Sequence, residues 1–223
     1  GIALIIALPL SLLTAIYLSE YAPSKIRKSV LPLIELLSGI PPVLFGVWGG
    51  LVIVPLIQEK IAPHFVDFST GYSALAGGIV LAIMIFPLII SILIEVFNNV
   101  PQEVRDASLS LGATQWQTIK KVVFPGSISG IMTGTILAVS RGAGEVAPIL
   151  FTGAAYYLAT LPGSLSDQFM NLGYHIYIMS TQSSDVEKTM PIQFATTLVL
   201  LILTLSLNLV AVVIRSRIRR RAK

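Results

Sequence analysis

Tyr72–Phe97 reads YSALAGGIVLAIMIFPLIISILIEVF, a predominantly apolar run with Pro87 inside it. A helix that crosses a bilayer needs about 20 such residues. Working outward, four more stretches qualify: Ile2–Leu18, Leu31–Ile57 with Pro41-Pro42 inside, Gly126–Phe151 with Arg141 and Glu145 inside, and Ile192–Ile214. The 223 residues are 54% hydrophobic and only 12% charged, with a mean hydropathy of +0.83. Soluble domains carry about 25% charged residues. So few charges cannot cover a globule of this size. That excludes a soluble enzyme, a disordered chain and, despite a pI near 9.4, a nucleic-acid binder. The expectation is an all-α polytopic bundle, one transmembrane domain over residues 1–223.

Basic residues orient such a bundle, because loops on the cytoplasmic side are enriched in Lys and Arg. The segments after spans one, three and five hold Lys25, Arg27, Lys28, Arg105, Lys120, Lys121, Arg215, Arg217, Arg219, Arg220, Arg221 and Lys223. The opposite side holds Lys60 and Lys188. This predicts a multi-pass protein of the cytoplasmic membrane with its C-terminus in the cytoplasm. The Arg217–Lys223 run reads as a topology anchor beside anionic lipid rather than a nucleic-acid patch. Five spans then place Gly1 outside. Since Gly1 is not an initiator Met, an upstream first helix is expected. The first stretch has neither the basic start nor the cleavage site of a signal peptide.

Residues 98–125 form the longest internal loop on the predicted cytoplasmic side. Asn99 is suited to cap a helix, with Pro101 in its first turn. Glu103 and Asp106 sit near the positive end of that helix dipole. Val104, Ala107 and Leu111 share one face, and Gly112 is placed to stop the helix. Thr114 and Gln117 have the spacing of a capping box, which starts a second helix with Trp116. Pro125 marks the entry to span four. Two short helices at the membrane surface are therefore expected. They rest on lipid, or they dock a cytoplasmic partner.

Here the residues carry a resemblance. Asp106-Ala107-Ser108, Gly112 four residues beyond Ser108, then Val122 and Phe124-Pro125 keep the spacing of the EAA loop of ABC importer permeases. Asp106, Ser108, Val122 and Phe124 depart modestly from that pattern. The flanking Val100–Ser108 and Leu111–Trp116 resemble phosphate importer permeases. So do Leu37–Gly46, Ala15–Ala22 and Arg141–Thr152. The Ala147–Thr152 ending is similar to the A-type subunit (PstA) rather than its C-type partner. The resemblance implies a type I ABC importer permease fold, five spans visible and the first helix missing. It implies ATPase coupling through Glu103, Asp106, Ala107, Ser108, Gly112, Trp116 and Pro125. It also implies four partners: a homologous permease subunit (PstC-like), two ATPase subunits (PstB-like) and an extracytoplasmic phosphate-binding protein (PstS-like). Permeases for sulfate or molybdate, and a self-sufficient secondary transporter, are the alternatives.

Arg141 and Glu145 are four apart inside span four, so one helix face is expected to carry both. Intramembrane charges usually face the bundle interior or a water-filled path. The pair reads either as a fastener between helices or as an anion path. The resemblance favours the path, with Val146 standing where the family usually has Thr. Gly126, Gly130, Gly134, Ala138 and Gly142 recur every four residues, as in close helix packing. Pro41, Pro42, Pro87, Gly142, Gly144 and Pro148 are candidate helix breaks. His64 and His175 have no metal-ligand spacing, and with no Cys there is no thiolate site or disulfide. No ATP-binding glycine loop or catalytic motif is present. The chain is therefore expected to have no cofactor and no enzymatic site of its own.

Overall fold

The computed structural model describes residues 1–64, 70–155, 157–158 and 160–221. Helix α1 (Ile2–Ile16) continues through a π turn to Tyr21. Next come α2 (Ser24–Ser38), α3 (Pro42–Trp48) and α4 (Val54–Leu56), the last two joined by a π turn into one span. Helix α5 (Ala74–Asn98) is followed by α6 (Gln102–Ser110), α7 (Gln115–Thr118) and α8 (Phe124–Gly144). Short α9 (Ala147–Leu150), strands β1 (Ala154–Ala155) and β2 (Phe169–Met170), then α10 (Leu172–Thr181) and α11 (Val186–Arg221) complete the order. The two strands pair in parallel, Ala154 opposite Phe169. Among the described residues, five helices are long and apolar enough to cross a membrane: Ile2–Tyr21, Pro42–His64, Ala74–Asn98, Gln115–Gly144 and Val186–Val210. The protein is a multi-pass membrane protein.

Two spans differ from their sequence expectation. Leu31–Ile57 is not one kinked span. Residues preceding proline are driven out of helical conformation, and Pro41 itself is extended at ψ 136°. Thus α2 ends before the prolines as a separate, mixed-polarity helix, and the span starts at Pro42. Span four begins earlier than Gly126, because α7, a π turn and α8 form one continuous helix from Gln115. Pro125 lies inside it rather than at its entry.

The π turns have a common cause. Each of the four among the described residues ends two residues before a proline: Pro23, Pro55, Pro63 and Pro125. A proline ring collides with the carbonyl four residues earlier and cannot donate to it. In every case that carbonyl lies within the widened turn. Phe124, for example, donates five residues back to the Ile119 carbonyl. Pro87 needs no such turn, and α5 runs through it unbroken. Gly142 likewise lies within the continuous α8.

The core is built on α5, which lies between α1, α2 and α8. The buried residues of α1 are Ala3, Ala7, Ser11 and Ala15, a small side chain on every turn. In lipid, such stripes allow close backbone approach and gain dispersion energy. Ser11 Oγ also donates to the Phe86 carbonyl of α5. The α8 glycines do the same on the other side of α5. A methyl added to Gly130 would lie 2.4 Å from Val96 Cγ1, and one on Gly134 2.9 Å from Ile92 Cγ2. One on Gly126 meets only Val100, at 3.6 Å. Gly130→Leu is therefore expected to destabilise the bundle by about 1–3 kcal/mol through overpacking. Gly126→Ala should leave thermal unfolding in detergent nearly unchanged, and equal melting of the two variants would contradict the seam.

Beyond α9 the chain forms a cap on the start of α5. The Ala74 and Leu75 amides donate to the Asp167 and Leu165 carbonyls. Ser73 Oγ accepts from the Ala76 amide. These bonds satisfy donors that a helix start leaves open. The 161–188 segment thus includes a docked loop, followed by α10 hairpinned on α11. At the start of α11, Lys188 donates to Asp185 through both its ammonium and its amide. These bonds hold the Asp185 carboxyl below its ordinary value. The stabilisation they contribute is present above the usual carboxylate range and is lost as pH falls through the lowered value.

Candidate functional site

The 98–125 loop is held as a rigid platform. Its first helix, α6, is preceded by Pro101 without a side-chain cap; Asn99 instead ends α5. Its far end is closed by a Schellman turn. The Gly112 amide donates to the Leu109 carbonyl and the Ala113 amide to the Ser108 carbonyl. Gly112 has φ +84°, a left-handed conformation that costs other residues about 1–2 kcal/mol. The capping box follows: Thr114 Oγ1 accepts from the Gln117 amide, and the Gln117 side chain accepts from the Thr114 amide. Ser108 and Thr118 share a hydroxyl hydrogen bond of 2.9 Å, tying α6 to α7.

These ties leave one face of the platform open. No residue of α6 is buried. Leu111 is 89% exposed and Trp116 57%, with Val104 and Leu109 also exposed. Glu103, Asp106 and Ala107 are exposed on the same helix. Asp106 Oδ1 accepts from Gln102 Nε2 at 3.0 Å. A helix that keeps its apolar residues in the open on a braced frame has the form that rests on lipid or enters a partner's groove. The predicted stripe of Val104, Ala107 and Leu111 is exposed along its length.

The bracing depends on a residue outside the expected set. Arg105 is the charged side chain of α6 that the rest of the chain largely covers. Its guanidinium donates to the Val100 and Phe97 carbonyls and pairs with Glu20 at 2.9 Å. The two side chains are 11% and 9% exposed. Gln115 Nε2 reaches the Glu20 carbonyl, and Arg27 reaches Asn98. A cavity of about 650 Å³ lies between these groups, where the end of α1 faces α6. Arg105 could not be singled out in sequence, because Glu20 lies 85 residues away.

The charged pair has a different geometry from the one expected. Helix α8 ends at Gly144, and Glu145 is extended, at φ −79° and ψ 132°. Arg141 Nε and Glu145 Oε1 still meet at 3.6 Å, across the helix end rather than along one face. The side chains are 38% and 18% exposed. Packing accounts for the break. A methyl on Gly46 of α3 would lie 2.6 Å from the Ala147 carbonyl oxygen, so α9 lies directly against α3. Pro148 sits in the first turn of α9, and Thr152 is fully buried with Oγ1 donating to the Pro148 carbonyl. Gly142 lies beside Leu81 of α5. Leu81 is seven residues inside that span, about 10 Å along a helix that rises 1.5 Å per residue. Arg141 therefore lies in the last turn of α8, beside a point about 10 Å inside α5. One residue along, Ser140 is hydrogen-bonded to Asn208 of α11. Among the described residues, no group of three or more His, Cys, Asp or Glu could hold a metal ion.

Comparisons with known proteins agree with this architecture. The chain is 34% identical over 203 residues to the phosphate transport system permease protein PstC of Pasteurella multocida (strain Pm70), covering 84% of this chain and 62% of that protein. It is 43% identical over 141 residues to the probable ABC transporter permease protein YqgH of Bacillus subtilis (strain 168), covering 63% and 44%. It is also 32% identical over 202 residues to the probable PstC of Methanocaldococcus jannaschii, covering 80% and 63%. The chain thus spans less than two thirds of these relatives' lengths. Both phosphate permeases carry the C-type name, so they lend no support to the A-type preference drawn from Ala147–Thr152. The buried Pro148 and Thr152 in that ending serve packing on α3 and α5, which reports fold rather than subunit type. In structure, the chain matches an inward-facing MetNI methionine ABC transporter at TM-score 0.70 and 17% identity, covering 97% of this chain and 88% of that one. A bacterial ABC transporter involved in import of the polysaccharide alginate matches at 0.64 and 16%, covering 97% and 75%. The fold is that of a type I ABC importer permease. A family model spans residues 7–222, nearly the whole sequence, and the chain belongs to the binding-protein-dependent transport system inner membrane component family.

Proposed function

We propose that this chain is a permease subunit of an ATP-driven importer that carries inorganic phosphate across the cytoplasmic membrane. The observation that carries the reading is the braced, outward-facing α6 platform. An apolar surface of this kind, fixed at both ends, transmits a partner's movement instead of absorbing it. In this reading the ATPase subunits stand beneath, one of them on the 98–125 loop. A homologous permease subunit completes the passage, and an extracytoplasmic binding protein delivers the anion. The bias in basic residues orients the loop and the C-terminus to the cytoplasm. Lys223 of the terminal basic run lies outside the described residues. Phosphate is favoured by the names of the curated relatives and by Arg141, a cation within a span.

ATP binding closes the ATPase pair, the platform follows, and the passage opens outward. Capture and energy come from the other subunits. The permease then needs only a gated passage that attracts anions weakly, and Arg141 beside Glu145 supplies that. Val146 takes no part as a hydroxyl donor, and its side chain fills the space against Gly173 of α10. The test is uptake into proteoliposomes holding the whole complex. Phosphate uptake is expected only with ATP and the binding protein present, and an excess of sulfate or molybdate should leave it unchanged. Uptake without the ATPase would establish a secondary transporter instead. Strong competition by sulfate or molybdate would reassign the anion.

A further inference from the structure

We propose that Glu20 is the joint through which the platform moves the first span, with Arg105 as the positioning residue that makes the joint. The proposal rests on the coupling role argued above. The platform reaches the bundle by three routes. It is continuous with α8 through α7, and it follows directly from α5 through residues 99–101. The third route, to the first span, is not covalent. Among the described residues, its hydrogen bonds both end on Glu20: Arg105 on the carboxylate and Gln115 on the carbonyl.

Those two side chains bridge the cavity of about 650 Å³ that otherwise separates the end of α1 from α6. Across a gap of that size, movement of α6 reaches the first span through these bonds rather than through packing. The π turn over Tyr17–Tyr21 makes the joint available. Ala22 donates back to Tyr17, and the helix ends ahead of Pro23. The Glu20 carbonyl is left without a partner in its own helix and takes the Gln115 donor. The Arg105 guanidinium is held by the Phe97 and Val100 carbonyls, so its orientation does not depend on Glu20. It is a preset fork of the kind that suits a carboxylate. Because α1 is fitted to α5 along its small-residue stripe, the joint makes α1, α5 and α6 one body.

The test uses the full complex in proteoliposomes, with ATP hydrolysis and anion uptake read from the same preparation. Arg105→Met is expected to keep hydrolysis near the parent rate and cut uptake per ATP about tenfold; Glu20→Gln, which keeps a neutral acceptor, should cut it about threefold, since charge-assisted bonds are the stronger ones. The double variant should be no worse than Arg105→Met, because both changes break one link. Parent-like uptake per ATP in both single variants would overturn the proposal. So would a loss of uptake and hydrolysis in proportion, which is what a merely structural role produces. Effects that multiply in the double variant would overturn it as well. If Arg105→Met does not assemble, Glu20→Gln decides alone. If the unsubstituted complex shows no ATP-driven uptake, the importer reading is what fails, not the joint.

Discussion

Gly112→Pro is expected to abolish association of the ATPase with the permease and to reduce uptake to background. Proline holds φ near −65° and has no amide hydrogen. Position 112 needs φ +84° and donates to the Leu109 carbonyl. The substitution therefore removes both halves of the turn that closes α6. The exposed Leu111 and the following capping box would lose their fixed relation to α6. A graded series separates this from general misfolding. Space is not the obstacle, since a methyl at 112 meets nothing within 4 Å. Gly112→Ala should cost about 1–2 kcal/mol from backbone conformation alone. Gly112→Asn should stay close to the parent, because Asn visits the left-handed region with little penalty. Co-purification of the ATPase with each variant, scored against the amount of folded permease, tests the order Gly, Asn, Ala, Pro. Full association of Gly112→Pro would remove the platform from coupling.

Arg141→Gln is expected to leave the complex assembled and to cut phosphate uptake about 10- to 100-fold, because a hydrogen bond to a charged group contributes about 1.5–3 kcal/mol and each 1.36 kcal/mol is one decade. Its single ion-pair partner among the described residues is Glu145, at 3.6 Å and without full burial. That leaves donor capacity for an anion. Arg141→Lys should recover part of the loss as a point charge without the planar fork. Glu145→Gln should release Arg141 and tighten anion retention, slowing release more than entry. Uptake rates and assembled complex, measured on the same preparations, are the readouts. Parent-like uptake by Arg141→Gln would make the pair a fastener of the α8 end.

The sequence alone carried far at two length scales. The spans were legible because a bilayer demands about 20 apolar residues wherever a helix crosses it. Glycine at 112 and the Thr114–Gln117 box were legible because a turn or a cap is closed by bonds within five residues. The four-residue repeat of α8 was legible for the same reason, since it is a period of one helix. The choice between A-type and C-type was not, because Pro148, Ile149 and Thr152, half of the residues used for it, are buried in packing.

Tertiary structure decided what depends on residues far apart in the chain. Helix α8 stops at Gly144, one of the candidate breaks, and the close packing of α9 against α3 decides that the chain turns there rather than at Gly142. The Arg141–Glu145 pair survives across that break, though not for the helical reason that predicted it. The second span begins at Pro42, because two successive prolines separate α2 from it more completely than one kink would. Arg105 finds Glu20 across 85 residues, at a place where a π turn has left a carbonyl open. Local periodicity reports the solvent each helix faces. Which buried polar groups must then satisfy one another is settled only when the helices are brought together.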